Sequence, residues 1–122
     1  MSERVDVLNP VDIERRIRDI ADRIANSAAV CNDRYKAFMR ADHAYDLAHA
    51  RAWLAADGTV KDKEAEVEIA TEEERTARDV AEVAYKYADR LAKALESELR
   101  AYQSVGASVR QMFAVAGRGE GP

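Results

Sequence analysis

Two histidines and an aspartate at three-residue spacing are the best candidates for metal chemistry in this chain. His43, Asp46 and His49 would lie on neighbouring turns of a helix, where glutamates of a facing helix could complete a carboxylate-bridged site. Di-metal helical bundles need carboxylates from four helical positions and two Glu-x-x-His pairs. This sequence offers one Asp-x-x-His pair and no third histidine. We therefore expect these side chains on a solvated helix surface, with no bound metal and no other cofactor.

An acidic run between residues 64 and 74 also suggests divalent-metal chemistry. Helical nucleotide pyrophosphatases hold magnesium with paired Glu-x-x-Glu and Glu-x-x-Asp motifs, but no glutamate of this run has an acidic residue three positions later. A solvated acidic surface near a helix N-terminus explains the run better. Gly-x-Ser-x-Gly and phosphate-binding Gly-rich loops are absent from the sequence, and the one cysteine, Cys31, has an apolar heptad position. We therefore expect no catalytic site and no enzymatic activity.

Basic residues near both ends of the chain are candidates for contact with nucleic acid, because cations bind phosphates and neighbouring tyrosines can stack on bases. The candidates are Arg15, Arg16, Arg18, Arg23, Lys93, Arg100 and Arg110. Acidic residues are interspersed at helical spacing, as in Asp19 with Arg23, and the net charge of the chain is −4. Ordinary ion pairing on a helix surface is therefore favoured, and nucleic-acid contact is the alternative.

An apolar residue at every seventh position indicates the helices that carry the candidate metal-binding and basic residues. The repeat passes through Ile17, Ile24, Cys31 and Phe38, and it resumes after Asp57-Gly58-Thr59. Neither Gly nor Pro occurs from residue 11 to 57 or from 59 to 105. Long stretches without turn residues favour helices over strands. We predict an all-α fold, a long antiparallel hairpin with coiled-coil-like packing.

The boundaries follow from capping residues: Asn9-Pro10 starts the first helix, Gly58 ends it, and Thr59 with Asp62 caps the second. We expect a flexible N-terminal arm over residues 1–9 and a hairpin domain over 10–116, with helices over about 10–56 and 60–104 and a turn at 57–59. Gly106 and Ser108 should interrupt the second helix, leaving a short apolar helix over about 108–116 and a disordered tail over 117–122. Polar residues at 26–33 could kink or break the first helix, and a break would give a three-helix bundle.

Two apolar stripes are visible on the predicted second helix. The first continues the heptad repeat and alternates steps of four and three, through Ala77, Ala81, Ala84, Ala88, Leu91, Leu95, Glu98, Tyr102, Val105, Val109 and Met112, of which only Glu98 is not apolar. The second lies beside it, and similar residues occur on the first helix; the residues of this second set are Ile69, Val80, Val83, Tyr87, Ala94, Leu47 and Leu54. Two helices alone cannot bury an apolar arc of about 200°, twice the usual width. We therefore expect these side chains to contact a partner.

The stretch from Ala52 through Asp57-Gly58-Thr59, the acidic helix that follows, and the segment from Leu95 to Arg110 resemble small helical-hairpin proteins of bacteriophages that infect actinobacteria. The resemblance covers roughly residues 10–112. It implies a phage origin and, because such proteins can be encoded near replication and recombination genes, a link to nucleic-acid transactions. It assigns a catalytic or binding role to no residue.

The sequence thus predicts a non-enzymatic protein–protein interaction module, a homodimer or higher homo-oligomer, with another phage or host protein as a possible partner. An accessory protein of phage DNA replication or recombination is one alternative, and a virion-assembly or scaffolding component is another. The sequence shows neither a secretory signal nor an apolar run long enough for a membrane. We therefore expect the protein in the cytoplasm, that of a bacterial host if a phage encodes it, and without membrane contact.

Overall fold

Helices account for nearly all of the described chain. The structure is a computed structural model that describes residues 9–119, with side chains for 9–117. It contains α1 (Pro10–Ala55), α2 (Val60–Ala70) and α3 (Glu72–Gly119), and this part of the chain has no strand. The predicted all-α fold is confirmed. The predicted arm up to residue 8 and the last three residues of the predicted tail lie outside the described residues.

The chain divides into two compact units, and α1 packs antiparallel against α3 within each. Unit 1 comprises the described residues up to 27 together with those from 92 onward, and unit 2 comprises residues 28–91. In unit 1, Arg16 near the start of α1 donates a hydrogen bond to Tyr102 near the end of α3, at 2.8 Å. In unit 2, the ring of Tyr35 lies 5.1 Å from that of Tyr85, and Tyr45, further along α1, contacts Arg78, which comes earlier in α3. This reversed order shows that the two helices are antiparallel.

Both predicted helix starts form the caps that the sequence indicates. The side-chain oxygen of Asn9 accepts from the amide of Asp12 at 3.0 Å, so one free donor at the start of α1 is satisfied. Thr59 and Asp62 form a reciprocal capping box at the start of α2, with distances of 3.2 and 3.3 Å. Gly58 precedes this cap with φ of 105°, a conformation that residues with a Cβ rarely adopt.

Helix α1 continues through residues 26–33, so the break that would have given a three-helix bundle does not occur. The hydroxyl of Ser27 donates to the carbonyl oxygen of Ile24 at 2.8 Å. This bond satisfies the polar side chain within one helical turn and leaves the backbone hydrogen bonds of the helix in place. The helix ends at Ala55, one residue before the predicted end.

An interruption that the sequence analysis did not predict separates α2 from α3 at Thr71. Its backbone departs from helical geometry, with φ of −108° and ψ of 15°. The side chain is buried, and its hydroxyl donates to the carbonyl oxygen of Val67 at 2.7 Å. A signal was present, because Thr71 and Glu74 have the Thr-x-x-Glu spacing of a helix N-terminus. The second helix of the prediction is therefore two helices.

The predicted interruption at Gly106 is wrong, since α3 is continuous to Gly119. Gly106 is buried against the start of α1, and a Cβ added there would lie 3.0 Å from Cγ2 of Ile13. The glycine thus permits a close approach of the two helices and does not end one of them. The predicted tail also begins too early, because residues 117–119 form the last turn of α3. Extending an existing helix adds one hydrogen bond per residue and does not require a new helix nucleus.

The side of α3 that packs in each unit differs by part of a turn from the predicted side. We call the packed positions the seam. On α1 the prediction holds, since Ile13 and Ile20 are buried and nearly all other predicted positions are at least half-buried. On α3 the predicted positions 81, 88, 95, 102 and 109 are correct, but most of the positions between them are one residue too early. Arg78, Ala92, Leu99 and Gly106 are half-buried or buried, whereas the predicted Ala77, Leu91, Glu98 and Val105 are exposed. Ala84 and Tyr85 are both half-buried.

We expect Gly106→Ala to lower the free energy of unfolding by about 1 kcal/mol. Alanine favours a helix over glycine by about 1 kcal/mol, but overpacking against the fully buried Ile13 costs about 1–3 kcal/mol. Gly117→Ala in the same helix is the matched control, because no atom lies within 4 Å of its added Cβ. That variant should be as stable as the parent or slightly more stable in urea denaturation. Equal stabilisation by both substitutions would contradict the close approach.

We expect two leucines one turn apart to respond differently to truncation. Leu95 is 5% exposed and Leu91 is 44% exposed. Leu95→Ala should cost about 2–5 kcal/mol of unfolding free energy, because it empties a packed position, and Leu91→Ala should cost below about 1 kcal/mol in the monomer. Urea denaturation at several protein concentrations measures both, and equal losses at the lowest concentration would show that the seam includes Leu91.

Candidate interaction surface

Four exposed apolar side chains form one stripe on α3 in unit 2. Val80, Val83, Tyr87 and Leu91 are 65, 68, 68 and 44% exposed. Their spacing of three and four residues places them on one side of the helix. We call these four residues the apolar face. Large apolar side chains scattered singly over a surface need no explanation, but a contiguous stripe does.

The apolar face forms one wall of a groove of about 450 Å³. Val30 and Arg34 of α1 line its other side. Ala84 and Ala88 also line it, and Ala88 is buried. Because these two alanines have short side chains, they leave a depression between the larger residues of the two helices. The groove therefore has apolar walls and a concave shape, and Arg34 contributes its only charged side chain.

Aromatic and cationic side chains of unit 2 fill the contact between α1 and α3 beside this groove. Tyr85 lies between Tyr35 and Phe38 of α1, with ring centroids 5.1 and 6.4 Å away. Arg78 approaches Asp42 at 3.8 Å, and its guanidinium carbon lies 4.9 Å from the ring centre of Tyr45. These residues occupy the side of α3 that meets α1. The apolar face, about a third of a turn away, is left in contact with solvent.

The predicted partner-contact residues are all exposed, but the structure brings only some of them together. Val80, Val83 and Tyr87 line the groove. Leu47 and Leu54 on α1, at 51 and 85% exposure, and Ile69 on α2, at 77%, lie outside it. Ala94 is exposed in unit 1.

Five of the eight residues that line the groove were not predicted as partner contacts, and Ala84 and Ala88 are two of them, since both were assigned to the seam. Leu91 was assigned to the seam, and the 47% exposed Val30 and its neighbour Arg34 lie at or beside the region where α1 was expected to break. Their exposure in the folded structure identifies these three as residues of the groove. Counting the alternation of four and three residues from the capping residue Thr71 would have placed Leu91 outside the seam.

All seven predicted nucleic-acid contacts are exposed, and all belong to unit 1. Unit 1 as a whole, residues 1–27 and 92–122, carries nine basic and nine acidic residues and so has no net charge, within a chain of net charge −4. Arg16 and Arg23 line a cleft of about 190 Å³, but Asp19 and Glu98 line it too. Arg16 also stacks on Tyr102, with 5.7 Å to the ring centre. The cleft thus combines both signs of charge, which weakens its attraction for phosphate.

The candidate metal residues are dispersed. His43, Asp46 and His49 are exposed, and the ring of His49 lies 5.9 Å from that of Tyr45. Across the described part of the chain, no three side chains of histidine, cysteine, aspartate or glutamate come close enough to hold a metal ion. Among residues 9–119, no helix combines the length and the apolar character that crossing a membrane requires.

A second group of exposed apolar side chains lies near the end of α3 in unit 1. Met112, Phe113 and Val115 are 67, 52 and 61% exposed, and an open depression of about 560 Å³ is lined by Met112 and Val115 with Ser108, Gln111 and Ala116. The sequence analysis placed Met112 on the seam. Met112 and the following Phe113 are both exposed, so neither is packed at this end of α3.

The fold defines this chain as an all-α protein of the helical-hairpin class. No protein-family model matches the sequence, and comparisons with curated proteins and with solved structures find no similar one. The groove in unit 2 is therefore the feature from which a function can be inferred.

Proposed function

We propose that this chain is a non-enzymatic protein–protein interaction module that self-associates through the apolar face of unit 2. The observation that supports it is the groove lined by Val80, Val83, Tyr87 and Leu91, all of them exposed. Burial of one such side chain is favourable by about 1.5–3 kcal/mol. A contiguous apolar stripe beside a concave surface is typical of a protein interface.

Self-association is favoured over a different partner because the chain itself carries both of the complementary shapes that an interface needs. Each copy presents both a ridge of large side chains, including Tyr87, and a depression over Ala84 and Ala88. A two-fold interface is self-complementary, so one surface that carries both shapes can bind its own copy. Two helical pairs that associate in this way give a four-helix arrangement, a common solution for apolar arcs too wide for one pair.

The biological setting is a proposal that rests on the sequence resemblance. A phage-encoded module of this kind would act in the cytoplasm of an actinobacterial host, with copies of itself or with another phage or host protein. A role in virion assembly or scaffolding would use the same self-association. Presence of the protein in purified virions would support that role, and absence from particles that assemble normally without it would exclude it.

We expect Tyr87→Asp to weaken self-association by at least about 100-fold, because it removes apolar contact area and places a charge in the interface. Leu54→Asp is the matched control, since Leu54 is 85% exposed and lies outside the groove. Sedimentation equilibrium between about 1 µM and 1 mM measures the dissociation constants. Circular dichroism should show unchanged helix content in both variants, as both positions are exposed.

A folded parent chain that remains monomeric over this concentration range would refute self-association. Equal weakening by Tyr87→Asp and Leu54→Asp would refute the role of the apolar face. Only selective weakening by the first substitution agrees with the proposal.

A second candidate function is contact with DNA through unit 1, in the manner of an accessory protein of replication or recombination. The observation that favours it is the exposure of all seven candidate cations on unit 1, whose basic and acidic residues are equal in number although the chain as a whole is acidic. The acidic residues of the Arg16 cleft oppose it, and it therefore ranks second.

If unit 1 binds DNA, affinity should fall steeply with salt, and simultaneous replacement of Arg15, Arg16 and Arg18 by glutamine should remove binding at low salt. Replacement of Arg40, Arg51 and Lys61, three exposed cations of unit 2, is the matched control. Fluorescence anisotropy with labelled single- and double-stranded DNA measures both. Absence of binding by the parent chain at about 20 mM salt would eliminate this function.

A further inference from the structure

The apolar face and the alanine beside it have the spacing of a two-stranded coiled coil. Val80, Ala84, Tyr87 and Leu91 follow one another at steps of four, three and four. The large side chains are exposed, and Ala84 lines the groove as a small residue among them. The same stretch of α3 therefore offers both knobs and a hole.

We infer that a second copy of this chain lays the same stretch of its own α3 antiparallel across the groove. This inference rests on the proposed self-association and specifies its geometry. Tyr87 of each copy lies over Ala84 of the other, and Val80 of each lies opposite Leu91 of the other. The two-fold axis passes midway between positions 84 and 87. Large residues thus meet smaller ones in every layer, as efficient packing of two identical surfaces requires.

A parallel arrangement of the same two stretches fits less well. It would place Tyr87 against Tyr87 and Ala84 against Ala84, so that one layer is overfilled and the next is empty. Both overpacking and unfilled volume are destabilising. The alternation of residue sizes along α3 therefore selects the antiparallel direction.

Charges at the edge of the apolar face select the same direction. Asp79 and Arg90 are both exposed and, by helical spacing, flank the apolar face on the edge away from the seam. In the antiparallel arrangement, Arg90 of one copy lies about 3 Å along the helix axis from Asp79 of the other. The two-fold axis produces this pair of opposite charges twice. A parallel pair would instead place this edge of the two copies on opposite sides of the interface, so that Asp79 and Arg90 make no ion pair between the copies.

The ion pair that Asp79 makes within one copy does not prevent it from pairing with Arg90 of a second copy. Its carboxylate is 3.5 Å from Nη2 of the neighbouring Arg78, and the carboxylate is mostly exposed. Surface ion pairs of this kind contribute little, so Asp79 can bind a cation of a second copy at small cost. Arg78 retains its contacts with Asp42 and Tyr45.

Charge reversal tests this geometry without disturbing the seam. Asp79→Arg and Arg90→Asp should each weaken self-association about tenfold, because each replaces two attractive pairs by two repulsive ones. The double variant restores opposite charges across the two-fold axis and should bind within about threefold of the parent. Asp46→Arg and Arg40→Asp, reversals at exposed positions of α1, are the matched controls and should leave the dissociation constant unchanged.

Sedimentation equilibrium on the full chain at low ionic strength distinguishes the outcomes. Weakening by both single variants and recovery in the double variant support the antiparallel arrangement. A parent chain that self-associates while the single variants bind normally, or while the double variant is the weakest of all, overturns this arrangement and leaves the proposed function intact. A monomeric parent chain overturns the proposed function and this inference together.

Discussion

Contact with α1 covers only one side of α3, and the surface chemistry of the chain depends on which side that is. In unit 2 the contact side is set by Tyr85 between two aromatic rings and by Arg78 between a carboxylate and a ring. In unit 1 it is set by Leu95, Val109 and the close approach at Gly106. Because an α-helix has a fixed 3.6-residue period, these contacts leave Val80, Val83 and Tyr87 facing solvent.

The interruption at Thr71 leaves the phase of the packed side unchanged. Buried and half-buried positions before and after it, Val67, Thr71, Arg78, Tyr85 and Ala88, fit one alternation of four and three residues. The buried hydroxyl of Thr71 is satisfied by the carbonyl oxygen of Val67, so the interruption leaves no unpaired side-chain donor in the core.

Much of this architecture could be predicted from the sequence because local signals were unambiguous. Asn9-Pro10, Gly58 and the Thr59–Asp62 pair each have one physical interpretation, and the helix starts at Pro10 and Val60 are as predicted. The heptad repeat on α1 also predicted its packed side. These features depend on residues close in sequence, where steric and hydrogen-bonding rules act directly.

The errors arose where two local interpretations compete and long-range packing decides. Gly106 can end a helix or permit a close contact, and only the position of Ile13 distinguishes the two. Leu91 and Leu95 are equally apolar and both were predicted on the seam, but α1 covers only Leu95. Ser27 can bend a helix or bond within it, and it does the latter. The groove could be predicted only in part, because Val30 contributes to it from a different helix.

On the proposed function, the uncovered side of α3 in unit 2 holds a second copy of the chain. Static light scattering of the unmodified protein, over a dilution series from about 1 mM to 1 µM, measures this association. The mass should approach twice the 13.6 kDa of one chain at the highest concentration and decrease toward one chain on dilution. A constant 13.6 kDa throughout the series, from a chain that is helical by circular dichroism, would contradict the account.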